Sequence, residues 1–297
     1  MFQMKSLHPL IGVEIQGVSL SAPLDEGTFS RIVEAFERHS LLLFRDQAIS
    51  DAQQLEFSRR FGPLERTKPG TVGEGSELVI LTNVAADGAI VPETHRQWLN
   101  TRANQLWHSD SSFKPTPALA SLLSGREVPV EGGETEFASM RAVWNALPAA
   151  LQARVDGLVA IHDYAWSRGR IDPELMTDAE REALPPVRQA MVRRHPVTGE
   201  ASLYAGSHAS GVEGMAPEAG RALLSELMEF ATRREFVHTH RWRRGDLLVW
   251  DNRCTLHRGR PFPASQRRYL VRTTVAGTGP TVGALPENRD ADPDFPE

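Results

Sequence analysis

The chain of 297 residues is 40% hydrophobic and 24% charged, which is the composition of an ordinary globular protein. Its formal net charge of -5, without a long run of Lys or Arg, argues against a nucleic-acid partner, and no uncharged apolar run approaches the roughly 18 residues that a membrane span requires. A single cysteine, Cys254, excludes an intramolecular disulfide and a thiolate metal cluster, which favours a cytoplasmic protein whose metals are bound by His and carboxylate.

Short apolar segments bounded by turn residues make up most of the sequence. Two stretches have the apolar spacing of a helix, and a third has the capping signals of one. Ser50 and Gln53 have the form of a capping box, and Gly62 lies where the helix that follows them would end. In chain order we expect a helix at 29–36, a strand at 41–44, a helix at 50–61, strands at 78–81, 118–123 and 158–162, a helix at 217–231 and a strand at 247–250.

This order of elements predicts a mostly β protein with flanking helices. Irregularly spaced strands with long intervals between them are more typical of a jelly-roll barrel than of alternating βαβ units. No internal repeat or linker is visible, so residues 1–297 are predicted to form one domain. Two segments, 66–102 (apart from the strand at 78–81) and 166–188, are predicted to be loops that are long enough to act as lids.

Only one of the ten histidines is followed by a carboxylate at the second position after it, in an H-x-D or H-x-E pattern, and this is His108 with Asp110. On an extended strand these two side chains would project to the same side and could converge on one ion. A third ligand must come from elsewhere, and His257 follows a buried-type strand and a polar turn far along the chain. Two His and one carboxylate leave coordination positions open, which favours non-haem Fe(II) over a structural zinc site. The alternative is that His108 and Asp110 form an ordinary hydrogen-bonded pair at the surface.

A second pair of metal-binding type is His238 with His240, which His195 or His208 would complete. No carboxylate follows this pair at a comparable spacing. Because Phe236, His238 and His240 alternate like one packed face of a strand, structural histidines are the simpler interpretation.

Taken together, these motifs resemble the taurine dioxygenase and 2,4-dichlorophenoxyacetate dioxygenase family of Fe(II)/2-oxoglutarate enzymes. The resemblance covers nearly the whole chain, and its segments are more similar to the phenoxyacetate enzyme than to the taurine enzyme. It implies a double-stranded β-helix, Fe(II) held by His108, Asp110 and His257, and 2-oxoglutarate and O2 as co-substrates. The matching motifs are Gly12-Val-Glu-Ile-Gln-Gly-Val-Ser-Leu, Phe61-Gly-Pro-Leu, Trp107-His-Ser-Asp, Gly132-Gly-Glu-Thr and Trp250-Asp-Asn-Arg.

The resemblance also implies which residues bind the two organic anions. Arg268, eleven residues after His257, would bind the far carboxylate of 2-oxoglutarate, assisted by the hydroxyl of Thr135. A guanidinium suits this role because it can make two parallel hydrogen bonds to a carboxylate. Arg272 would bind the anionic head of the substrate. The alternative for Arg267 and Arg268 is a solvated surface pair.

Three further residues, Asn104, Ser167 and Arg168, match family positions that line the substrate pocket. For Asn104 a turn-forming role is the alternative. The taurine enzyme carries an aromatic residue where Arg168 stands and a substrate-binding His where Thr67 stands. The resemblance therefore favours an aryloxyalkanoate, such as a phenoxyacetate, over a sulfonate, with a phenol, glyoxylate, succinate and CO2 as products.

Two alternatives remain open from the sequence. The chain could be a 2-oxoglutarate dioxygenase that acts on a sulfonate, an alkylsulfate or an N-acyl amino acid, or a cupin-like binding barrel without turnover. The expected partners are small anions, with no nucleic acid and no membrane, and assembly into a homo-oligomer is left open.

Overall fold

The computed structural model describes residues 2–67 and 72–283. Within these ranges the helices are α1 (Glu26–His39), α2 (Asp51–Arg59), α3 (Arg96–Ala103), α4 (Met140–Ala146), α5 (Ala149–Val155), α6 (Tyr164–Gly169), α7 (Asp178–Ala183) and α8 (Pro217–Ala231). The strands are β1 (Gln3–Ser6), β2 (Val13–Gln16), β3 (Leu41–Phe44), β4 (Val79–Thr82), β5 (Ala120–Glu127), β6 (Thr135–Ser139), β7 (Val159–His162), β8 (Val187–Ala190), β9 (Val192–Arg194), β10 (Ala201–Leu203), β11 (Ala209–Val212), β12 (Val237–His240), β13 (Leu247–Asp251), β14 (Thr255–Gly259) and β15 (Tyr269–Val275).

Two sheets form the barrel that positions the site. The larger sheet has the strand order β1-β2-β3-β13-β5-β15-β4, and the smaller one has the order β12-β6-β14. Trp250 of the larger sheet and Phe137 of the smaller sheet meet between them, with ring centroids 5.5 Å apart. A further sheet, β11-β7-β8, and the pair β10-β9 complete the β-structure. The prediction of a mostly β jelly-roll with flanking helices is confirmed.

The continuous apolar run of β3 is explained by burial on both of its faces. Leu41 and Leu43 point into the barrel, where they pack with Trp250. Leu42 and Phe44 point the other way and pack under the outer helices. Because neither face meets water, β3 shows no alternation of polar and apolar residues.

Helices α1 and α2 cover the outer face of the larger sheet through aromatic contacts. The ring of Phe29 in α1 packs edge-on against Phe61, just beyond α2, at 5.2 Å between centroids. Helix α2 begins with the predicted capping box, in which Gln53 and Ser50 hydrogen-bond reciprocally. The predicted boundaries of this helix are thereby confirmed at its start.

The two predicted lid segments contain more regular structure than the sequence indicated. Segment 66–102 includes β4 and most of α3, and segment 166–188 includes the end of α6 and all of α7; residues 68–71 of the first lie outside the described ranges. The strand predicted at 78–81 corresponds to β4 and is confirmed. The prediction of loops is wrong for the helical parts, because these short capped helices lack an apolar periodicity. Arg96 of α3 and Glu180 of α7 form an ion pair of 2.5 Å that joins the two segments.

None of the helices in residues 2–67 and 72–283 has both the length and the apolar character that crossing a bilayer would require.

Candidate active site

The three predicted metal ligands converge at one end of the barrel. His257 lies in β14, and His108 pairs with it through two backbone hydrogen bonds of 3.0 and 2.8 Å. The Nε2 atoms of His108 and His257 lie 3.9 and 3.7 Å from the two carboxylate oxygens of Asp110. All three residues are buried, and one ligand atom from each lies within 4.8 Å of the others.

The local structure that brings Asp110 there differs from the prediction. His108 forms only an isolated bridge, and Asp110 lies in a turn instead of on an extended strand. Ser111, directly after it, has a φ of 54°, which is uncommon for a residue other than glycine. The strand prediction for this segment is therefore wrong, although the two side chains do converge.

The protonation states suit a divalent cation. The His108 ring donates from Nδ1 to the carbonyl of Leu106 at 2.7 Å, which leaves the lone pair on Nε2 facing Asp110. Burial lowers the pKa of His108, and it holds the pKa of His257 well below the usual range. Burial alone would raise the pKa of Asp110, but the Arg272 guanidinium holds it below its usual value. Two neutral imidazoles and one carboxylate are thus available at neutral pH.

A second group of metal-binding side chains in the described residues consists of His195, Asp251 and Cys254. Here Asp251 already accepts hydrogen bonds from Arg253, at 2.8 Å to each oxygen. The Nε2 atom of His195 also lies 3.0 Å from Asp251 and 3.1 Å from Glu37. Because these cations compensate the carboxylates, this group is a buried ion-pair network and not a metal site. His238 and His240 belong to neither group.

Arg268 and Thr135 lie together in a small cavity that also contacts His108 and His257. Arg268 precedes β15, and its Nε atom is buried without a hydrogen-bond partner in the part of the chain that the structure describes. Burial lowers the pKa of its guanidinium to about 10, so the group stays charged at neutral pH. The Thr135 oxygen accepts a hydrogen bond from Trp242 at 3.0 Å, which leaves its own hydrogen to donate.

Arg272 lies between this cavity and a larger one and lines both. Its Nη1 donates to Asp110 at 2.5 Å. The predicted substrate arginine is therefore also a direct partner of a candidate metal ligand, which the sequence did not reveal.

The larger cavity, with a volume of about 430 Å³, extends from His108 and Asp110. Arg168 lies in its wall, stacked over the ring of Tyr164 at 4.4 Å. The Arg168 side chain is buried, its Nε has no hydrogen-bond partner, and no ion pair of this residue occurs in residues 2–67 and 72–283. An uncompensated buried guanidinium of this kind favours an anionic ligand.

The remaining predicted pocket residues separate into two kinds. Asn104 lines both cavities, and its backbone carbonyl accepts a hydrogen bond from Gly259 at 2.9 Å. Ser167 is fully buried behind the cavity wall and does not line the cavity. Its hydroxyl instead forms a hydrogen bond of 2.8 Å with Nδ1 of His208.

His208 is one of the cavity residues for which the sequence did not predict a place in the substrate pocket. It lines the larger cavity, and its ring packs against Phe113 at 5.0 Å and Tyr164 at 5.7 Å between centroids. Burial holds its pKa well below the usual range, so the ring is neutral. The segment Gly206-Ser-His-Ala-Ser resembles the corresponding segment of the phenoxyacetate enzyme and carries a signal for this place, whereas the histidine spacing indicated His208 only as an alternative zinc ligand.

The chain is similar to known proteins over most of its length. The model of the family described as "Taurine catabolism dioxygenase TauD, TfdA family" matches residues 3–274. The alpha-ketoglutarate-dependent 2,4-dichlorophenoxyacetate dioxygenase of Cupriavidus pinatubonensis is 43% identical over 91% of this chain and 96% of its own length. The (S)-phenoxypropionate/alpha-ketoglutarate-dioxygenase of Sphingobium herbicidovorans is 33% identical over 96% of this chain and 98% of its own length. The crystal structure of AAD-2 in complex with Mn(II) and N-oxalylglycine superposes with a TM-score of 0.89, at 40% identity, over 96% of this chain and 100% of that one.

Proposed function

The chain belongs to the taurine catabolism dioxygenase family, TauD/TfdA, and we propose that it hydroxylates an aryloxyalkanoate, such as a phenoxyacetate, with Fe(II), 2-oxoglutarate and O2. The observation that carries this proposal is a His-Asp-His group between two cavities, each of which contains an arginine with a buried, unpartnered Nε atom and no carboxylate partner in the described residues. A divalent cation would fit the His-Asp-His group, and one organic anion would fit the arginine of each cavity.

His108, Asp110 and His257 would hold the iron. Two neutral imidazoles and an ionised carboxylate are the ligand set typical of non-haem Fe(II) with open positions. When bound, this iron and O2 convert 2-oxoglutarate to succinate and CO2 and supply one oxygen atom to a C–H bond of the substrate. The task of the protein is then to place one C–H bond correctly.

Arg268 and Thr135 would bind the far carboxylate of 2-oxoglutarate. The guanidinium has a buried N–H group without a partner, and the Thr135 hydroxyl keeps a hydrogen to donate. Both groups lie in the cavity that also contacts two of the candidate metal ligands. This placement lets one molecule reach the arginine and the metal together.

The aryloxyalkanoate would occupy the larger cavity. Its carboxylate would bind Arg272 and Arg168, both of which line this cavity. Its ring would pack against Phe113 and Tyr164, whose own rings lie 4.3 Å apart. His208 and Asn104 supply polar groups to the same wall, and Ser167 orients His208.

The overall reaction balances with the aryloxyalkanoate, 2-oxoglutarate and O2 as reactants. Of the two oxygen atoms, one enters succinate and the other enters the carbon next to the ether oxygen. The resulting hemiacetal breaks its C–O bond and its hydroxyl proton moves to the departing phenolate. For a phenoxyacetate, the products are a phenol, glyoxylate, succinate and CO2.

The cavity wall favours this substrate over taurine. Thr67, which stands where the taurine enzyme has a substrate-binding His, lines the cavity. Its hydroxyl already donates to the carbonyl of Ser76 at 2.8 Å. Thr67 therefore brings no imidazole to an anionic head, whereas the Arg168 guanidinium is available.

Succinate release from the Fe(II) enzyme should be measured across aryloxyacetates, aryloxypropionates, taurine, other sulfonates and alkylsulfates. We expect an aryloxyalkanoate to have the highest kcat/KM. A higher value for taurine or an alkylsulfate would replace the substrate assignment, and no 2-oxoglutarate turnover with any compound would favour a binding barrel.

The metal assignment is tested separately with the ligand variants. His108→Ala, Asp110→Ala and His257→Ala should each abolish succinate formation, because a three-ligand site with open positions cannot lose a ligand. His238→Ala and His240→Ala are matched controls that should retain iron. Iron loss in the two control variants alone would show that His238 and His240 of β12 bind the metal instead.

We further propose that residues 1–297 form one domain in which segments 66–102 and 166–188 cover the substrate cavity, and that the enzyme works in the cytoplasm. Support for the first point comes from the Arg96–Glu180 ion pair that joins the two segments. The free, buried thiol of Cys254 supports the second.

A further inference from the structure

Asn252 follows β13 and is completely buried, and its carboxamide is satisfied at both ends. Its Oδ1 accepts hydrogen bonds from the backbone N–H of Asp110 at 3.1 Å and from Nε1 of Trp250 at 3.0 Å. Its Nδ2 donates to Oγ of Ser121 at 3.0 Å. One side chain at the end of β13 thereby contacts both the turn at Asp110 and strand β5, which are more than 100 residues away in sequence.

Further hydrogen bonds connect Asn252 to the Asp110 carboxylate and to the residue before it. The Ser121 hydroxyl, which accepts from Asn252, donates to Oδ2 of Asp110 at 2.7 Å. The Ser109 hydroxyl donates to the backbone carbonyl of Asn252 at 2.6 Å. The segment 109–110 is thus attached to Asn252 through a hydroxyl, an amide and, by way of Ser121, the carboxylate itself.

This attachment matters because regular structure does not hold Asp110. The preceding residue of the motif, His108, makes only an isolated bridge, and the chain at 110 is a turn. A turn residue can rotate its carboxylate unless hydrogen bonds fix it. Trp250, the other donor to Asn252, packs against the ring of His257 at 4.7 Å, so the same carboxamide connects to a second candidate ligand.

We propose that Asn252 is a positioning residue that orients the Asp110 carboxylate toward the metal through the Asp110 amide and the Ser121 hydroxyl. The proposal rests on the proposed function, since it requires that Asp110 binds a metal. It assigns a role to an asparagine which touches neither cavity. A purely structural Asn252 would change stability but not metal affinity in the folded protein.

The test is Mn(II) binding to the folded apoprotein, measured from the free Mn(II) signal in electron paramagnetic resonance. We expect Asn252→Ala to weaken Mn(II) binding by about 10- to 100-fold, the usual range for partners behind a metal ligand. Gln54→Ala is the matched control, because Gln54 is equally buried and bonds backbone carbonyls of Leu122 and Val271. It should change Mn(II) affinity by less than about two-fold.

A second pair of variants keeps the test decisive if Asn252→Ala does not fold. Ser121→Ala removes the hydroxyl that bonds Asp110, and we expect about a 10-fold loss of Mn(II) affinity. Ser202→Ala removes a buried hydroxyl that bonds the carbonyl of Arg253 at 3.1 Å, without a contact to Asp110, and should leave the affinity unchanged. Circular dichroism confirms that each variant is folded at the temperature of the titration.

The outcomes separate the two proposals. If the unaltered protein binds no Mn(II), the metal site of the proposed function is wrong. If it binds Mn(II) and the folded Asn252→Ala and Ser121→Ala variants bind equally well, only the positioning role is overturned. Weaker Mn(II) binding in these variants but not in Gln54→Ala and Ser202→Ala supports it.

Discussion

Replacing Arg268 with Met should have two effects of opposite sign. Arg268 carries a buried guanidinium N–H without a partner among the described residues, and burial lowers its pKa to about 10. The charged side chain is therefore poorly stabilised until an anion binds it. Arg268→Met should weaken 2-oxoglutarate binding and, in the protein without ligands, raise the thermal stability.

The expected magnitudes follow from the burial and the charge. Loss of the charged hydrogen bonds to one carboxylate costs about 3 kcal/mol, which corresponds to a rise of about 100-fold in the KM for 2-oxoglutarate. A pKa lowered in the folded state means that the charged form is penalised below that pKa, hence at neutral pH. Because Arg268 is only half-buried as a whole residue, we expect the substitution to relieve about 1 to 3 kcal/mol, which is a Tm increase of about 2 to 6 °C.

Arg267→Met is the matched control, since Arg267 is exposed and pairs with Glu127 at 2.7 Å. It should leave the KM for 2-oxoglutarate unchanged and shift the free energy of unfolding by less than about 0.5 kcal/mol. Succinate release gives the KM values, and thermal unfolding without metal and 2-oxoglutarate gives the Tm values. An unchanged KM in Arg268→Met would refute the assignment of this arginine, and a fall in Tm would refute the claim that its charge is uncompensated.

Arg168→Ala should raise the KM for an aryloxyacetate by about 10-fold without changing the Mn(II) affinity. Arg272→Ala should raise this KM and also weaken Mn(II) binding, because only Arg272 contacts Asp110. An equal loss of Mn(II) affinity in the two variants would contradict this difference. His208→Gln should raise the KM for the aryloxyacetate while the KM for 2-oxoglutarate stays constant. A change in the KM for 2-oxoglutarate alone would contradict the assignment of His208 to the substrate cavity. Burial alone would lower the pKa of His195, but hydrogen bonds to Asp251 and Glu37 raise it above 6.5. The stabilisation from this histidine is then complete below its unfolded pKa and is lost as the pH rises through the folded value, so His195→Gln should lower the Tm more at about pH 6 than at about pH 9; a loss that is larger at the higher pH would contradict the network.

The sequence predicts the parts of this molecule that depend on local patterns. The capping box at Ser50 and Gln53 predicts the start of α2, and the apolar run at Leu41–Phe44 predicts β3, because burial and capping leave a direct signal in residue type. The ligands His108 and Asp110 are found for a similar reason, since the chemistry requires their residue types at a short spacing.

What the sequence misses depends on contacts between distant segments. His108 and Asp110 converge from a turn, so their common direction comes from Asn252 and Ser121 and not from the period of a strand. His208 appears in the cavity wall only after β11 has packed against β7. Neither arrangement changes the pattern of apolar residues near the site in the sequence, and pattern reading alone therefore cannot detect it.

The three arginines of the site differ in whether a carboxylate of the protein already neutralises the guanidinium charge. This difference explains their separate roles better than their positions do. Arg272 is paired with Asp110 before any anion arrives, so a bound carboxylate must share its guanidinium with a metal ligand. Within residues 2–67 and 72–283, Arg168 and Arg268 lack such a partner, and each would gain a full ion pair when an anion binds. We therefore expect the discrimination between substrates to depend mainly on Arg168, and the link between substrate and metal to depend on Arg272.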